Sequence, residues 1–227
     1  MNKIAIFYHI WQVGDWKAIV QDQFNKMNES GLLNAAEFIH IGVNGDGVNE
    51  IVPIEYFNNN TRVVHNSNLK LGEYDTIKSL HEFCRENKNY AVLYTHTSGV
   101  RFSLDPNNFH YKNKTLWRKY QEYFTINHWK KCVSLLETYD CVGTEWKDDS
   151  LVNNVFRPDL NHYSGNIWWT TSQYFGNLDW NFFNLNSDLG RHASEFFIGS
   201  GNPKHYNFYR SYKDLYFFPI YEEEYRL

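Results

Sequence analysis

Short β-prone runs alternate with longer amphipathic segments through the first hundred residues, and this alternation is the strongest constraint on the fold. Residues 3–10 predict a buried strand, and residues 16–28 carry apolar side chains at helical spacing after Asp15, a candidate helix cap. Further elements are predicted as strands at 37–42, 61–65 and 90–94 and a helix at 74–85. This order indicates an open α/β sheet. The helix at 74–85, which leads into the strand at 90–94, is predicted to form a right-handed crossover connection.

The second half of the chain continues the pattern. The predicted elements are a long helix at residues 116–138, strands at 141–143 and 165–170, and short elements at 172–178 and 194–198. The last forty residues are dense in Tyr and Phe, and we expect them to wrap back over the sheet. No internal repeat or linker interrupts the sequence, and 227 residues fit one core, so we expect a single domain over residues 1–227.

The composition is that of an ordinary globular chain and excludes several classes of function. Hydrophobic residues make up 42% and charged residues 21%, which excludes a disordered chain. The formal net charge of -4 gives no broad cationic field, so we expect no nucleic-acid partner. Aromatic residues make up 19%, and two explanations stay open, namely the bias of an AT-rich genome and stacking platforms for sugars or bases.

Cysteine use and hydropathy bear on the compartment. Cys84, Cys132 and Cys141 show neither close pairing nor metal-ligand spacing, which favours a reducing cytosol over a disulfide framework. The apolar run at residues 4–8 is too short for a signal core, and no later stretch approaches the ~18 apolar residues of a membrane span. We therefore expect a cytoplasmic protein with no transmembrane segment.

Two segments join a predicted strand to a cluster of small and polar residues. They read Tyr90-Ala-Val-Leu-Tyr-Thr-His-Thr-Ser-Gly99 and Asn161-His-Tyr-Ser-Gly-Asn-Ile-Trp-Trp-Thr170. Open α/β sheets place reactive groups in this way at the carboxyl ends of their strands. A ligand-binding edge is therefore predicted where the two segments meet across one pocket.

These segments resemble the GT-A fold of glycosyltransferases, and more narrowly a group of bacterial and viral glycosyltransferase-like proteins. The matching stretches are Tyr94-Thr-His-Thr-Ser-Gly99, Trp117-Arg118, Asp140-Cys-Val-Gly143 and His162-Tyr-Ser-Gly-Asn-Ile-Trp-Trp169. The resemblance implies a GT-A-like, Rossmann-like open mixed sheet with helices on both faces. It also implies transfer of a sugar from a nucleotide-sugar donor to a glycan or other hydroxyl acceptor, in the assembly of a polysaccharide or glycan.

Two departures from the group's pattern concern the donor site. Ser98 stands where the pattern has Lys, and no Asp-x-Asp follows the strand at residues 90–94. Most GT-A enzymes hold Mn²⁺ or Mg²⁺ on those two carboxylates, whereas His96 and Thr97 occupy the place here. One imidazole without a nearby carboxylate is a poor site for a hard cation. We assign no metal ligands and leave a dependence on Mn²⁺ or Mg²⁺ open.

Cationic side chains and backbone amides are the predicted substitute for that metal, since the diphosphate of a UDP-, GDP- or dTDP-sugar must be neutralised. The candidate cations are Arg101, Lys70, Lys78 and Arg118, and the candidate amides are those of Thr97, Ser98 and Gly99. By position, the resemblance adds Tyr8 and His9 near the base or ribose, and Asp75 and Lys78 near the ribose and diphosphate. Each basic residue also fits an ordinary solvated surface.

Glu195 is the predicted catalytic base, and His96 is the predicted catalytic group at the diphosphate. An inverting transfer needs a carboxylate that takes the proton of the acceptor hydroxyl. The alternative for Glu195 is a first-turn acid favoured by the helix dipole, and Asp140 and Glu145 are reserve candidates. The predicted acceptor and sugar-binding residues are His162, Ser164, Gly165, Asn166, Trp168 and Trp169. We expect the Asn166 amide to bind sugar hydroxyls. Because Trp168 and Trp169 would face opposite sides of a strand, we expect at least one of them in the core, which leaves the other to border the acceptor groove.

Two alternatives to the transferase stay open. A non-catalytic nucleotide-sugar or glycan-binding protein would keep the fold without the metal site, and the missing Asp-x-Asp favours it. A nucleotidyltransferase would need a carboxylate pair for metal near the sheet edge, and the sequence offers none at convincing spacing. The donor sugar, and the choice between inversion and retention, also stay open.

Overall fold

A computed structural model of the chain describes residues 3–45, 60–66, 72–105, 107–148 and 160–226. The strands in these ranges are β1 (Lys3–Trp11), β2 (Phe38–Asn44), β3 (Thr61–His65), β4 (Tyr90–His96), β5 (Cys141–Gly143), β6 (Trp146–Lys147), β7 (His162–Tyr163), β8 (Trp168–Thr171) and β9 (His205–Asn207).

The helices differ widely in length. The α-helices are α1 (Trp16–Glu29), α2 (Leu32–Ala35), α3 (Tyr74–Glu86), α4 (Phe109–Glu122), α5 (Trp129–Leu135), α6 (Ser172–Phe175), α7 (Phe182–Leu185), α8 (Ala193–Phe196) and α9 (Glu222–Tyr225). A π-helical turn spans Tyr123–Asn127, and 3₁₀ segments span Val100–Leu104, Ser187–His192 and Phe197–Gly199. Within the described ranges, none of these helices has both the length and the apolarity to cross a bilayer.

Seven strands form one mixed sheet in the order β3-β2-β1-β4-β8-β5-β9. β1 pairs in parallel with both β2 and β4, and β3 continues in parallel beyond β2. β8 runs antiparallel to its two neighbours, β4 and β5, and β9 joins β5 in parallel. β6 and β7 form a separate antiparallel pair. The predicted α/β fold with an open mixed sheet is therefore confirmed.

Helices cover both faces of this sheet because β1 buries side chains in both directions. Ile6 and Tyr8 pack in a cluster with apolar residues of α1, whereas Ala5 and Phe7 pack in a second cluster with residues of α3. Each fully buried Ile or Phe contributes roughly 2 kcal/mol through removal of its apolar surface from water. The central strands are therefore held from both sides, and their carboxyl ends form a rigid edge.

The start of α1 differs from its prediction. Asp15 precedes the helix, but its side chain makes no capping hydrogen bond. Its carboxylate instead accepts a hydrogen bond from the Tyr111 hydroxyl at 3.0 Å, and its backbone N–H donates to the Ser103 hydroxyl at 2.7 Å. Asp15 therefore occupies the predicted N-cap position, but its side chain links α1 to the residues that follow β4 instead of capping the helix.

The single helix predicted at residues 116–138 begins earlier and is interrupted. α4 starts after Asn108, whose side chain accepts from the His110 N–H at 2.9 Å. The π-helical turn then breaks the helix, and α5 follows it. At the break, the Thr125 carbonyl accepts a hydrogen bond from Trp169 Nε1 at 2.8 Å. A tertiary contact therefore uses a carbonyl that a continuous helix would have bonded internally.

β8 begins at Trp168 instead of at residue 165. Gly165 and Asn166 have φ values of 88° and 51°, so they form a turn and not a strand. Trp168 and Trp169 project to opposite faces of the sheet, and each is 0% exposed. Both are core residues, so the expectation that at least one lies in the core is confirmed, and neither side chain borders a groove.

The aromatic C-terminal segment meets the sheet at its edge. β9 pairs with β5 as the outermost strand. Beyond β9, Leu215, Ile220 and Tyr225 pack against Tyr120 and Phe124. This part of the segment therefore covers α4 and the π-helical turn. The earlier part packs on a sheet face as predicted, since Phe196 and Phe197 lie in one cluster with Phe7 of β1.

Candidate functional site

A cavity of about 350 Å³ opens at the carboxyl ends of β1 and β4. These strands are neighbours, and His9 is the register partner of His96. The chain passes from β1 to β2 and β3 on one side and then to β4 on the other side of β1. This pair of strands is therefore the switch point of the sheet, where open α/β proteins bind ligands because the loops diverge there.

The loop after β4 is a type II turn that depends on Gly99. The Val100 N–H donates to the Thr97 carbonyl at 3.2 Å, and Gly99 has φ 79° and ψ -2°. A Cβ atom at Gly99 would also lie 2.6 Å from Lys114 Cβ. Glycine is therefore required both for the backbone conformation and for the close approach of Lys114.

Most amide groups of this turn are already used. Thr97 donates its N–H to the His9 carbonyl at 3.1 Å, and Ser98 donates to the His96 carbonyl at 2.8 Å. These two amides are therefore unavailable to a phosphate, contrary to the prediction. Of the three predicted amides, the Gly99 N–H is the one without a hydrogen bond in the described part of the chain.

Glu73 fixes the His96 side chain at the cavity wall. Glu73 Oε1 lies 3.4 Å from His96 Nδ1, and the Gly165 carbonyl lies 2.9 Å from His96 Nε2. A carbonyl oxygen only accepts hydrogen bonds, so Nε2 carries a hydrogen, and a hydrogen bond to the Glu73 carboxylate requires a second hydrogen on Nδ1. Glu73 was not predicted. Its one signal in the sequence is an acid directly before a predicted helix.

The loop before β8 reaches the same carboxylate. Asn166 Nδ2 donates to Glu73 Oε2 at 2.6 Å, and Trp168 Nε1 donates to Asn166 Oδ1 at 2.6 Å. Asn166 is 1% exposed, and its backbone N–H donates to the Tyr163 carbonyl at 3.0 Å. The two sequence segments therefore do meet. Asn166 supports Glu73 from behind, however, and does not offer its amide to a sugar as we expected.

Glu195 lies on α8 at the cavity wall, with 36% of its side chain exposed. Its Oε1 atom lies 3.1 Å from His192 Nδ1. Burial raises the pKa of Glu195, but the hydrogen bond from His192 and the positive charge of nearby histidines outweigh burial and lower the pKa below 4.5. The carboxylate is therefore ionised at neutral pH, which is the form that accepts a proton.

The wall has an excess of positive charge. Among the described residues that line it, Arg101, Lys114 and Arg191 are cations, whereas Glu73 and Glu195 are carboxylates. Glu73 is already engaged by hydrogen-bond donors on the core side. The balance therefore favours an anionic ligand.

Lys114 is held between two aromatic rings. Its Nζ atom lies 3.9 Å from the centroid of the Trp117 ring and 4.4 Å from that of the Tyr216 ring. Burial lowers the pKa of Lys114 to about 8, and the positive charge of Arg101 acts in the same direction. The ammonium group is therefore poorly solvated and is well placed to gain from an anion.

Arg118 belongs to a buried network below the cavity and does not line it. Its Nε donates to Glu122 Oε1 at 3.1 Å, and its Nη1 donates to the Ser98 carbonyl at 3.2 Å. Glu122 is 0% exposed and also accepts hydrogen bonds from Lys26 at 2.6 Å and Gln23 at 2.8 Å. A buried carboxylate needs such donors because it has lost its hydration. The network thus supports the loop after β4.

His9 and Tyr8 separate in the structure. His9 lines the cavity, and its Nδ1 lies 2.9 Å from Thr76 Oγ1. Burial, and then the charge of His96, lower the pKa of His9 to about 3, so its ring is neutral. Tyr8 is 0% exposed and donates its hydroxyl to Gln23 in the core. Tyr8 therefore cannot contact a base or ribose, and its assignment was wrong.

The other donor-side candidates do not reach the cavity. Asp75 and Lys78 are described residues of α3 that form no part of its wall. Lys78 Nζ lies 4.0 Å from Glu82 Oε1, and about half of each side chain is exposed. Lys78 is therefore a surface lysine. Lys70 lies outside the described residues.

The acceptor-side candidates divide between a second cavity and the core. His162 and Ser164 line a separate cavity of about 130 Å³, together with the buried reserve candidate Glu145. Asp140 lies away from both cavities and accepts a hydrogen bond from the Lys204 N–H at 2.8 Å.

The side chains of the first cavity do not form a metal site on their own. The part of the chain that is described contains no group of three or more His, Cys, Asp or Glu side chains placed to hold a metal ion. Glu73 is bound by Tyr94 and Asn166, and Glu195 is bound by His192. A resident Mn²⁺ or Mg²⁺ therefore does not fit these side chains alone.

Lys114, Arg191 and His192 were not predicted as site residues. Lys114 precedes the predicted helix start at residue 116, and the other two lie between predicted elements. The one usable signal was the three-residue spacing of His192 and Glu195, which brings such side chains together on a helix.

A family model described as a domain of unknown function (DUF8361) matches residues 7–183. The match begins within β1 and includes the strands β2 to β8, Glu73 and His96, whereas Arg191, Glu195 and Tyr216 lie beyond it. No curated protein matches the chain. The match covers more than half of the 227 residues, so the chain belongs to the DUF8361 family.

Proposed function

We propose that this protein is a glycosyltransferase with a GT-A-like fold, which moves a sugar from a nucleotide-sugar donor to a glycan or other hydroxyl acceptor. One observation carries the proposal. A cavity at the switch point of the sheet combines an excess of cations with an ionised, partly exposed carboxylate, Glu195. Sugar transfer from a nucleotide diphosphate needs both, because negative charge develops on the leaving group while the acceptor hydroxyl loses its proton.

The diphosphate binds next to Lys114, Arg101 and Arg191 in this proposal. Their charges, together with the Gly99 N–H, take the role that a metal ion has in most GT-A enzymes. His96 borders this diphosphate site, and its ring is held in place by the Gly165 carbonyl and by Glu73. The nucleoside lies toward the ends of β1 and β2, where His9, Trp11 and Asn44 line the cavity.

Glu195 acts as the general base. It accepts the proton of the acceptor hydroxyl while the hydroxyl oxygen bonds to the anomeric carbon and the bond from that carbon to the diphosphate oxygen breaks. The bond electrons leave with the nucleoside diphosphate, whose charge the cations stabilise. His192 keeps the carboxylate ionised before the reaction through its hydrogen bond to Oε1.

A non-catalytic nucleotide-sugar or glycan-binding protein is the second candidate. It is favoured by the internal hydrogen bonds of both carboxylates in the cavity, since Glu73 and Glu195 each already have partners. The two functions share donor binding and differ in turnover. Replacement of Glu195, described in the Discussion, separates them.

Donor binding is tested by thermal denaturation with UDP-, GDP-, dTDP- and CMP-sugars, each with and without Mn²⁺. A donor at 100 times its Kd raises the free energy of unfolding by about 2.7 kcal/mol, which shifts the Tm of a chain of this size by roughly 5–10 °C. Lys114→Met is expected to abolish the shift, and Lys130→Met on the exposed side of α5 is the matched control. If none of the four donors raises the Tm, the proposal is contradicted.

A further inference from the structure

Five aromatic rings form a continuous surface that begins in the wall of the first cavity. Phe102 and Tyr216 line that cavity, and their ring centroids are 5.9 Å apart. The His110 ring packs on both, at 5.5 Å from Phe102 and 4.4 Å from Tyr216. His110 also contacts Phe109 at 3.9 Å and Phe217 at 5.8 Å, neither of which lines the cavity. We call these five rings the aromatic surface.

The outer part of the aromatic surface is exposed to water. Phe109 is 57% exposed and Phe217 is 55% exposed. A phenylalanine ring has no polar atom that water can bind, so its exposure is unfavourable, although single instances are common. Among the described phenylalanines, only these two and the neighbouring Phe218 have exposed side chains. Their grouping next to a cavity indicates contact with an apolar ligand or partner.

Hydrogen bonds hold the aromatic surface in place. The Tyr216 carbonyl accepts from His110 Nδ1 at 3.1 Å and from Asn113 Nδ2 at 3.3 Å. Both donors belong to α4, so this part of the C-terminal segment is fixed to that helix. A surface that is ordered before binding loses little conformational entropy when a ligand arrives.

The proposed general base lies in the same cavity as the inner part of the aromatic surface. Glu195 lines that cavity together with Phe102 and Tyr216. Its negative charge opposes the effect of burial on the pKa of Lys114, and Lys114 Nζ lies 4.4 Å from the centroid of the Tyr216 ring. A molecule whose hydroxyl group lies at Glu195 can therefore extend past Tyr216 onto the exposed phenylalanines.

The donor does not account for this surface. In the proposed function the nucleoside lies toward the ends of β1 and β2, whereas the five rings come from the residues after β4, the start of α4 and the C-terminal segment. The sugar and diphosphate of the donor are polar, and the rings of Phe109 and Phe217 offer them no hydrogen bond. The acceptor is the substrate that remains.

We propose that the acceptor is an amphiphile, in which an apolar chain carries the hydroxyl group or glycan that receives the sugar, and that the aromatic surface binds this chain. The inference rests on the proposed transferase function and adds the chemical class of the acceptor to it. The hydroxyl end lies at Glu195, and the chain passes Phe102 and Tyr216 toward Phe109 and Phe217.

The test compares methyl β-glucoside with octyl β-glucoside, which share one sugar and differ in the apolar chain. Binding is measured by saturation-transfer NMR, with octyl β-glucoside below its critical micelle concentration. We expect octyl β-glucoside to bind the wild type at least about tenfold more tightly, because burial of roughly two methylene groups is enough for that factor.

Paired substitutions locate the binding. The double variant Phe109→Ser with Phe217→Ser is expected to lose most of the tenfold preference, and its Tm should change little because both side chains are exposed. Leu185→Ser is the matched control, since Leu185 of α7 is 73% exposed and does not line the first cavity. This variant should keep the preference.

Three results would overturn the inference. The first is equal affinity of the wild type for the two glucosides. The second is a preference for octyl β-glucoside that survives in the double variant. The third is a dimer, or binding to phosphatidylcholine vesicles, that is lost in the double variant while monomeric octyl β-glucoside does not bind; it would assign the surface to a second copy or to a bilayer. Failure of the proposed function is distinguishable, since it appears as the absence of nucleotide binding in the wild type.

Discussion

Glu73 Oε1 lies 3.4 Å from His96 Nδ1, and this contact joins the start of α3 to the end of β4 across the cavity. The same carboxylate accepts short hydrogen bonds from the Tyr94 hydroxyl and from Asn166 Nδ2, both at 2.6 Å. Glu73 therefore accepts hydrogen bonds both from β4 and from the turn before β8. Its removal affects stability and site geometry together.

Glu73→Ala is expected to lower the free energy of unfolding by about 2 kcal/mol or more, because it leaves the buried donors of Tyr94 and Asn166 without an acceptor. For a chain of this size the Tm falls by roughly 4–8 °C, measurable by calorimetry. Glu86→Ala, at the exposed end of α3, is the control and should change the Tm little. Equal effects of the two substitutions would contradict the role of Glu73.

Glu195→Gln is expected to keep nucleotide-sugar binding and to lower turnover by about 10²–10⁴-fold, because the amide cannot accept the hydroxyl proton. Binding is measured by calorimetry, and turnover by release of nucleoside diphosphate from the donor that passes the thermal test. Glu82→Gln, an exposed acid on α3, serves as the matched control. Unchanged turnover in Glu195→Gln would remove Glu195 from the mechanism. Undetectable turnover in the wild type with tight donor binding would favour the non-catalytic alternative.

Lys114 gives nucleotide binding a pH dependence. Its pKa is lowered to about 8 by burial, so the side chain is cationic below that pH and neutral above it. An anionic diphosphate prefers the cation, and its affinity is therefore expected to fall by about tenfold as the pH rises through this value, equivalent to ~1.4 kcal/mol. Titrations of UDP binding between pH 6.5 and about pH 9.5 measure the effect.

Lys114→Arg provides the control for that pH dependence. The guanidinium stays charged over the whole range, so this variant should bind with an affinity that changes little through pH 8. The same fall in affinity in Lys114→Arg would assign the titration to another group.

Gly99→Ala is expected to destabilise the protein more than Gly31→Ala. Both glycines have positive φ, 79° and 76°, so both substitutions incur about 1–2 kcal/mol for the left-handed conformation. A Cβ at Gly99 would meet Lys114 Cβ at 2.6 Å, whereas a Cβ at Gly31 would meet nothing within 4 Å. The difference between the two, measured by chemical denaturation, isolates the contact with Lys114. Nucleotide affinity should weaken in Gly99→Ala alone.

Much of the sheet was predictable from the sequence. The strand predicted at residues 61–65 has those bounds in the structure, and those predicted at 3–10 and 90–94 end one or two residues later, at Trp11 and His96. The strands β1 and β4 are buried along most of their length, so local pattern and tertiary structure agree there. The helices α1 and α3 follow their apolar spacing for the same reason.

The site was less predictable because its residues come from segments without periodic patterns. Glu73 acts through contacts with Tyr94 and Asn166, which are distant in sequence. Secondary-structure propensity depends on neighbouring residues and therefore does not predict such contacts. Arg118 was predicted as a cation for the diphosphate, with a solvated surface position as the alternative, yet it is 4% exposed and paired with Glu122. Charge alone therefore did not separate ligand-binding cations from those that hold the fold.

The position of β4 between β1 and β8 has a consequence for how the protein folds. β1 pairs with β2 through partners such as Ile6 and Ile39, whereas β4 pairs with β1 through Ile6 and Leu93 and with β8 through Leu93 and Trp169, which are much farther apart in the chain. Closing these longer loops costs more entropy, so β1 and β2 are expected to pair before β4 and β8 join the sheet. The fluorescence of Trp169 and the ability to bind nucleotide should accordingly recover in the same slow phase of refolding.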